Sequence, residues 1–156
     1  MEIPFELPLD NDGYLRRQCP KCERSFKRHP DHEEHPADHA ADPVVYYCPY
    51  CGAPATTDQW WTDEQVDYAQ ALASMEAMRL VERELRPAAD RLNRSSDFLK
   101  MEFEVPRVGP PAPLFEPDDM IAVEPPCHPE EPLKIIEEWD GELHCLMCGR
   151  AFVLSD

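Results

Sequence analysis

The chain has 156 residues, 18 prolines, seven cysteines and a formal net charge of −17. That length holds one ordinary domain or two very small ones, and the acidity argues against a general nucleic-acid binder. Proline at about twice its usual ~5% share excludes long regular structure where it clusters, in the first fifty residues and over 106–132.

Small proline-rich pieces bury little apolar surface and need metal or disulfide staples. Six of the cysteines form three C-x-x-C pairs: Cys19/Cys22, Cys48/Cys51 and Cys145/Cys148. The opening "MEIPFELPLDNDG" has neither the basic region nor the apolar run of a signal peptide. No segment approaches the roughly 18 apolar residues of a membrane span. The expected setting is therefore the reducing cytoplasm of a bacterial cell, where paired cysteines read as metal ligands, and the odd cysteine count weakens the disulfide alternative further.

In chain order, "YLRRQCPKCERSFKR" (14–28) has the form of half a zinc ribbon: strand, C-P-x-C turn, strand. Two residues between the thiolates let both sulfurs reach one metal while nearby backbone N–H groups point at them. The same stretch carries Arg16, Arg17, Lys21, Arg24, Lys27 and Arg28 against Glu23 alone, a local +5 that leaves −22 on the remainder. "VVYYCPYCGAPA" (44–55) repeats the form, with Gly52 allowing the tight exit. Cys19, Cys22, Cys48 and Cys51 are thus expected to hold one structural zinc ion. Between these halves, "HPDHEEHPADHAADP" places His29, His32, His35 and His39 in what reads as a solvated loop insertion, although a further metal site there is conceivable.

"WWTDEQVDYAQALASMEAMRLVEREL" (60–85) is the clearest helix. Thr62 and Gln65 form a capping box, Trp61 and Val66 are spaced for a hydrophobic staple, and Pro87 is expected to kink or break the helix. Its Val, Ala, Leu and Met side reads as core or as a seam for a partner helix. "FLKMEFEVPRV" (98–108) alternates apolar and charged residues as a half-buried strand should, and "GPPAPLFEP" (109–117) is an extended linker. "PLKIIEEWDGELHCLMCG" (132–149) reads as a β-hairpin turning at Asp140-Gly141 and delivering Cys145 and Cys148.

That last pair needs two further ligands, and upstream stands only Cys127, followed by His128. Neighbours in a strand point to opposite faces, so both converge on one metal only if the chain turns there, which Pro125, Pro126 and Pro129 favour. Three thiolates prefer nitrogen over carboxylate as a fourth ligand. The expected second set is Cys127, His128, Cys145 and Cys148, with Glu130, Glu124 and His144 as rivals to His128. His128-x-Glu130 before Cys145-x-x-Cys148 superficially matches the zinc-deaminase pattern. However, no proline precedes Cys145, and a hairpin fills the short interval, so both zinc ions read as structural and no catalytic residue is assigned.

Residues 14–53 closely, and 127–150 partially, resemble the zinc-ribbon group of rubredoxin-like knuckles. The resemblance implies a small α+β, metal-stabilised fold: two zinc-ribbon β modules joined by an amphipathic helix. The expected divisions are a four-cysteine ribbon over 1–61, the helix over 62–96, and a strand, linker and three-cysteine, one-histidine ribbon over 97–156. Members of the group occur in transcription and translation proteins and as protein-docking modules. The favoured function is a non-enzymatic adaptor or accessory subunit binding another protein through its acidic body, Trp60, Trp61 and the Met-rich helix. The alternative is a transcription- or RNA-associated factor using the basic first knuckle. In the adaptor reading, that basic stretch meets an acidic protein surface or the chain's own acidic segments.

Overall fold

The structure, a computed structural model, describes residues 5–30, 45–98, 100–102 and 104–154. Strand β1 (Leu15–Gln18) and strand β2 (Ser25–Arg28) flank the first C-x-x-C turn and pair antiparallel, with Gln18 opposite Ser25. Strands β3 (Val45–Tyr47) and β4 (Pro54–Thr56) flank the second, with Tyr47 opposite Pro54. Helix α1 (Asp63–Ser95) follows, then β5 (Ile121–Val123) and β6 (Leu133–Ile135). The third C-x-x-C turn lies between β7 (Leu143–His144) and β8 (Ala151–Phe152). The described residues thus form a small α+β fold with one α-helix and three small antiparallel sheets.

The largest sheet has the order β1–β2–β6–β5 and draws on both ends of the chain. Lys27 of β2 stands opposite Lys134 of β6, and Leu133 of β6 opposite Val123 of β5. Both edges of β6 are therefore used, and the expected hairpin over 132–149 does not form. The chain instead leaves β6 through a turn in which the Trp139 N–H donates to the Ile136 carbonyl at 3.3 Å. Trp139 folds back edge-on to Tyr50, with ring centroids 4.8 Å apart, and carries the Arg24 guanidinium 5.1 Å from its own. A Cβ at Gly141 would lie 2.9 Å from that indole, so glycine answers a close approach there rather than a hairpin turn.

The chain divides into two compact units, Leu7–Asp63 with Leu114–Asp156, and Glu64–Pro113 with Met1–Glu6. One core takes Phe26, Tyr46, Tyr50 and Trp60 from before the helix and Val123, Leu133, Ile135, Leu143 and Leu146 from after it. Each half supplies only part of that core. The helix begins directly after Thr62, as the capping pattern predicts, and both Thr62 and Gln65 are buried. It continues through Pro87 to Ser95 as one element, and its buried residues are Gln65 and Ala89. Trp61, expected to staple against Val66, carries the Arg17 guanidinium 5.5 Å from its ring. The strand expected over 98–108 is not formed by its described residues, because no neighbouring strand completes it; Phe98 is fully exposed. Leu99 and Phe103, as well as His32, His35 and His39 of the loop insertion, lie outside the described residues.

Candidate metal centres

All three C-x-x-C turns share one backbone geometry. In each, the first cysteine's N–H donates to the carbonyl five residues on: Arg24 for Cys19 at 3.0 Å, Ala53 for Cys48 at 2.9 Å and Arg150 for Cys145 at 2.9 Å. The residue four positions on returns its N–H to the first cysteine's carbonyl, from Glu23 and Gly52 at 2.9 Å and from Gly149 at 2.8 Å. That closure requires a left-handed residue, and φ is +60° at Glu23, +68° at Gly52 and +70° at Gly149. Inside the loops, N–H groups of Lys21 and Cys22 reach the Cys19 sulfur at 3.3 and 3.4 Å, and that of Tyr50 reaches the Cys48 sulfur at 3.4 Å. Such donors favour thiolate over thiol.

The structure brings Cys19, Cys22, Cys48 and Cys51 together, and separately Cys127, His128, Cys145 and Cys148, with the ligand atoms of each set within 4.8 Å of one another. A tetrahedral site with metal–sulfur bonds of about 2.3 Å has sulfur–sulfur edges of about 3.8 Å. Cys19 and Cys51 lie 3.8 Å apart, Cys22 and Cys48 3.6 Å, and Cys127 and Cys148 3.5 Å. With a metal–nitrogen bond of about 2.0–2.1 Å the mixed edge is about 3.5 Å, and the Cys145 sulfur stands 3.3 Å from His128 Nδ1. These separations are far beyond the ~2.05 Å of a disulfide. Both sets have the size and donor chemistry to hold a metal ion.

Protonation chemistry agrees with that fit. Burial pushes the Cys48 thiol well above its ordinary range and the Cys145 thiol up to about 11. The Cys148 thiol is held down to about 7, chiefly by its hydrogen bond with the backbone of Arg150. Four sulfurs this close cannot all ionise in a partly buried site unless a cation compensates them, and a divalent metal does so.

Turns settle which residues join the second set. The His128 N–H donates to the Pro125 carbonyl at 3.1 Å, and the Glu131 N–H to the His128 carbonyl at 3.1 Å. The chain therefore bends at Cys127 and His128, so both side chains reach one point. Glu124 and Glu130 are exposed and stand outside the set. His144 is outside it too: its ring covers Gly52, where a Cβ would approach Cδ2 to 2.8 Å. His29 packs edge-on to Tyr14 at 5.3 Å between ring centroids.

A third group, Asp10, Asp12 and Asp118, also has ligand-like spacing, but an ammonium serves it. Lys134 Nζ lies 2.8 Å from Asp10, 2.6 Å from Asp12 and 3.6 Å from Asp118. Beside it, Lys27, fully buried, meets Asp10 at 3.2 Å, Glu116 at 2.9 Å and Asp119 at 3.1 Å, and donates to the Pro117 carbonyl. Arg16 joins through Glu116 at 2.8 Å and Asp119 at 2.6 Å. Burial alone would raise the Asp10 carboxyl, but hydrogen bonds from Lys134, the Tyr14 backbone and Lys27 outweigh it and hold Asp10 down to about 2. The short run Glu116–Asp119 is thus the counter-charge of the basic first knuckle. The sequence signal for it was the local +5 in an acidic chain; what sequence alone could not supply was which of several acidic runs would return.

The chain matches no family model, no curated protein and no solved structure in comparisons with each. The sites therefore stand on their own geometry.

Proposed function

We propose that the chain is a zinc-stabilised, non-enzymatic adaptor that docks onto another protein, with two structural zinc ions held by Cys19, Cys22, Cys48 and Cys51 and by Cys127, His128, Cys145 and Cys148. Zinc is the metal proposed because thiolate-rich tetrahedral sets suit it, and iron, which such sets also accept, would show itself by a visible absorption band. The role is structural because four protein ligands leave no position for a reacting water. Among the described residues no helix is long and apolar enough to cross a membrane.

The observation that carries the adaptor reading is α1. It runs for 33 residues, yet its buried residues are Gln65 and Ala89. Val66, Met78, Val81 and Leu85 each remain 37–48% exposed. Apolar side chains left open along one long helix fit a partner surface better than a solvated spacer.

Engagement of the basic knuckle weighs against the nucleic-acid alternative. Arg16 and Lys27 are tied to Glu116 and Asp119, while Arg17, Arg24 and Arg28 lie over Trp61, Trp139 and Tyr46. Five of the six cations of 14–28 thus have partners within the protein, and Arg17, Lys27 and Arg28 are buried, which leaves few of them open to phosphates.

The test is purification of the tagged protein from its native cells with the bound proteins identified by mass spectrometry. A defined partner should be retained by the unaltered chain and lost by Val81→Glu/Leu85→Glu, which keeps both metal ions. Submicromolar binding of the isolated protein to DNA or RNA at physiological salt, abolished by Arg16→Glu/Arg17→Glu, would replace the adaptor reading with the alternative.

A further inference from the structure

The two candidate metal sets are built against each other. The Tyr47 N–H, just before Cys48, donates to the carbonyl of Leu146, just after Cys145, at 2.9 Å. The His144 N–H, just before Cys145, donates to the carbonyl of Pro49, just after Cys48, at 2.8 Å. The same exchange recurs in the side chains. The His144 ring covers Gly52, and the Tyr47 ring covers Gly149, where a Cβ would approach to 2.7 Å. Residues in equivalent places of the two turns thus make equivalent contacts, as across an approximate two-fold axis.

The strand order β1–β2–β6–β5 obeys the same exchange, since swapping β1 with β5 and β2 with β6 returns the sheet to itself. β1 and β2 flank the turn that carries Cys19 and Cys22, while β5 leads into the turn that offers Cys127 and His128. Each half of one ligand set is therefore hydrogen-bonded, directly or through β2 and β6, to a half of the other. The glycines sharpen the point. All three turns need a left-handed residue, and the first uses Glu23 there. Gly52 and Gly149 stand where a neighbouring ring also leaves no room for a Cβ.

We infer that the two metal sets form one thermodynamically coupled pair, in which metal bound at either set orders the turn that supplies half of the other. This rests on the reading that both sets hold metal. Ordering the Cys48 turn fixes the Leu146 and Pro49 contacts, and these hold the Cys145 turn in its ligating shape. The conformational cost of forming the second site is then largely met when the first ion binds.

Cobalt(II) provides the test, because thiolate coordination gives it a visible spectrum. In Cys51→Ser, affinity for cobalt at the set of Cys127, His128, Cys145 and Cys148 should fall about 5- to 150-fold, and Cys148→Ser should weaken the four-cysteine set by the same factor, as linkage requires. A fold lost in either variant is covered by native mass spectrometry of the unaltered chain at one equivalent of metal. There, coupling that exceeds the difference in intrinsic affinity between the sets predicts that chains with none or two ions dominate. One-ion chains at half or more of the total, together with unchanged affinity in the ligand variants, would overturn the coupling while leaving the adaptor reading intact. Failure to bind any metal would instead remove the metal reading on which both rest.

Discussion

The unit formed by Leu7–Asp63 and Leu114–Asp156 uses strands of two to four residues, yet it gathers eight candidate ligands, a shared apolar core and a buried cluster of cations and carboxylates. The unit of Glu64–Pro113 has the opposite character: α1 is 33 residues long and leaves most of its apolar side chains partly open. In the first, short strands have no independent stability, so ion pairs, a shared core and pairing between distant parts of the chain hold them, and the two candidate metal sets can add to that. In the second, backbone hydrogen bonds lie within the helix itself, and its length alone favours persistence. Stabilisation is thus concentrated in one unit, and open apolar surface in the other.

Chelation tests that contrast most severely. Structural zinc of this type contributes on the order of 10 kcal/mol at neutral pH. Removing it should open the whole first unit, including 114–156, because β6 joins both ends of the chain in one sheet. Far-ultraviolet circular dichroism should keep most of the helical signal, while limited proteolysis cuts within 7–30 and 114–154. Unchanged protease resistance of those segments after chelation would mean that the core, not metal, is the staple.

A smaller effect is expected from Lys27→Met. It leaves Glu116 and Asp119 short of a buried partner, and breaking a buried pair typically costs about 3–5 kcal/mol; Arg16 and Lys134 should keep the loss near the lower end. Arg83→Met on α1 is the matched control. Arg83 pairs with Glu84 at 3.3 Å, but both are about two-thirds exposed, so the change should stay within about 0.5 kcal/mol. Urea unfolding of the two variants measures the difference, and equal losses would erase the distinction between the units.

The three C-x-x-C turns of the candidate sets were legible from spacing, because such turns are local: the hydrogen bonds that shape each lie within six residues. His128 was legible for the same reason, through the prolines that bend the chain beside it. The sheet was not. Nothing within "PLKIIEEWDGEL" distinguishes a hairpin partner at 143 from partners at 121 and 27, since each is a short strand with at least one apolar residue to bury. Pairing was decided by closure of a common core that neither half completes. The described residues of 98–108 form no strand, since alternation alone does not supply a neighbour to pair with. Pro87 does not break α1, because a helix of this length tolerates one missing hydrogen bond.

Alkaline titration probes the first unit's core from a third direction. Tyr50 donates to the Ser25 carbonyl at 2.8 Å and accepts from the Ile136 N–H at 3.1 Å, so it ties β2 to the exit of β6. Burial raises its phenol to about 12. The folded protein therefore keeps that proton between pH 10 and 12 while the unfolded chain loses it, and stability falls as pH rises through this window. Two pKa units correspond to about 2–3 kcal/mol. Tyr50→Phe should be less stable than the unaltered chain at pH 8, by about 1–3 kcal/mol for the two unmet backbone groups. By pH 12 that gap should narrow by about 2–3 kcal/mol. A gap that stays constant would mean the phenol is not held as these bonds imply.

The smallest expected change separates the first C-x-x-C turn from the other two. Glu23 holds φ at +60° with an exposed side chain, and a non-glycine residue there costs about 1–3 kcal/mol. Glu23→Gly removes that strain but adds chain entropy to the unfolded state, worth about 0.5–1 kcal/mol in the other direction. The net should be a gain of about 0.5–1 kcal/mol, visible as a small rise in urea midpoint with metal stoichiometry unchanged. Gly149→Ala is the counterpart and should be destabilising, because it adds the same strain and also a methyl group against the Tyr47 ring. If Glu23→Gly destabilises as well, the first turn has a contact at that side chain that sets its residue choice, and the left-handed backbone alone does not explain the pattern of glycines.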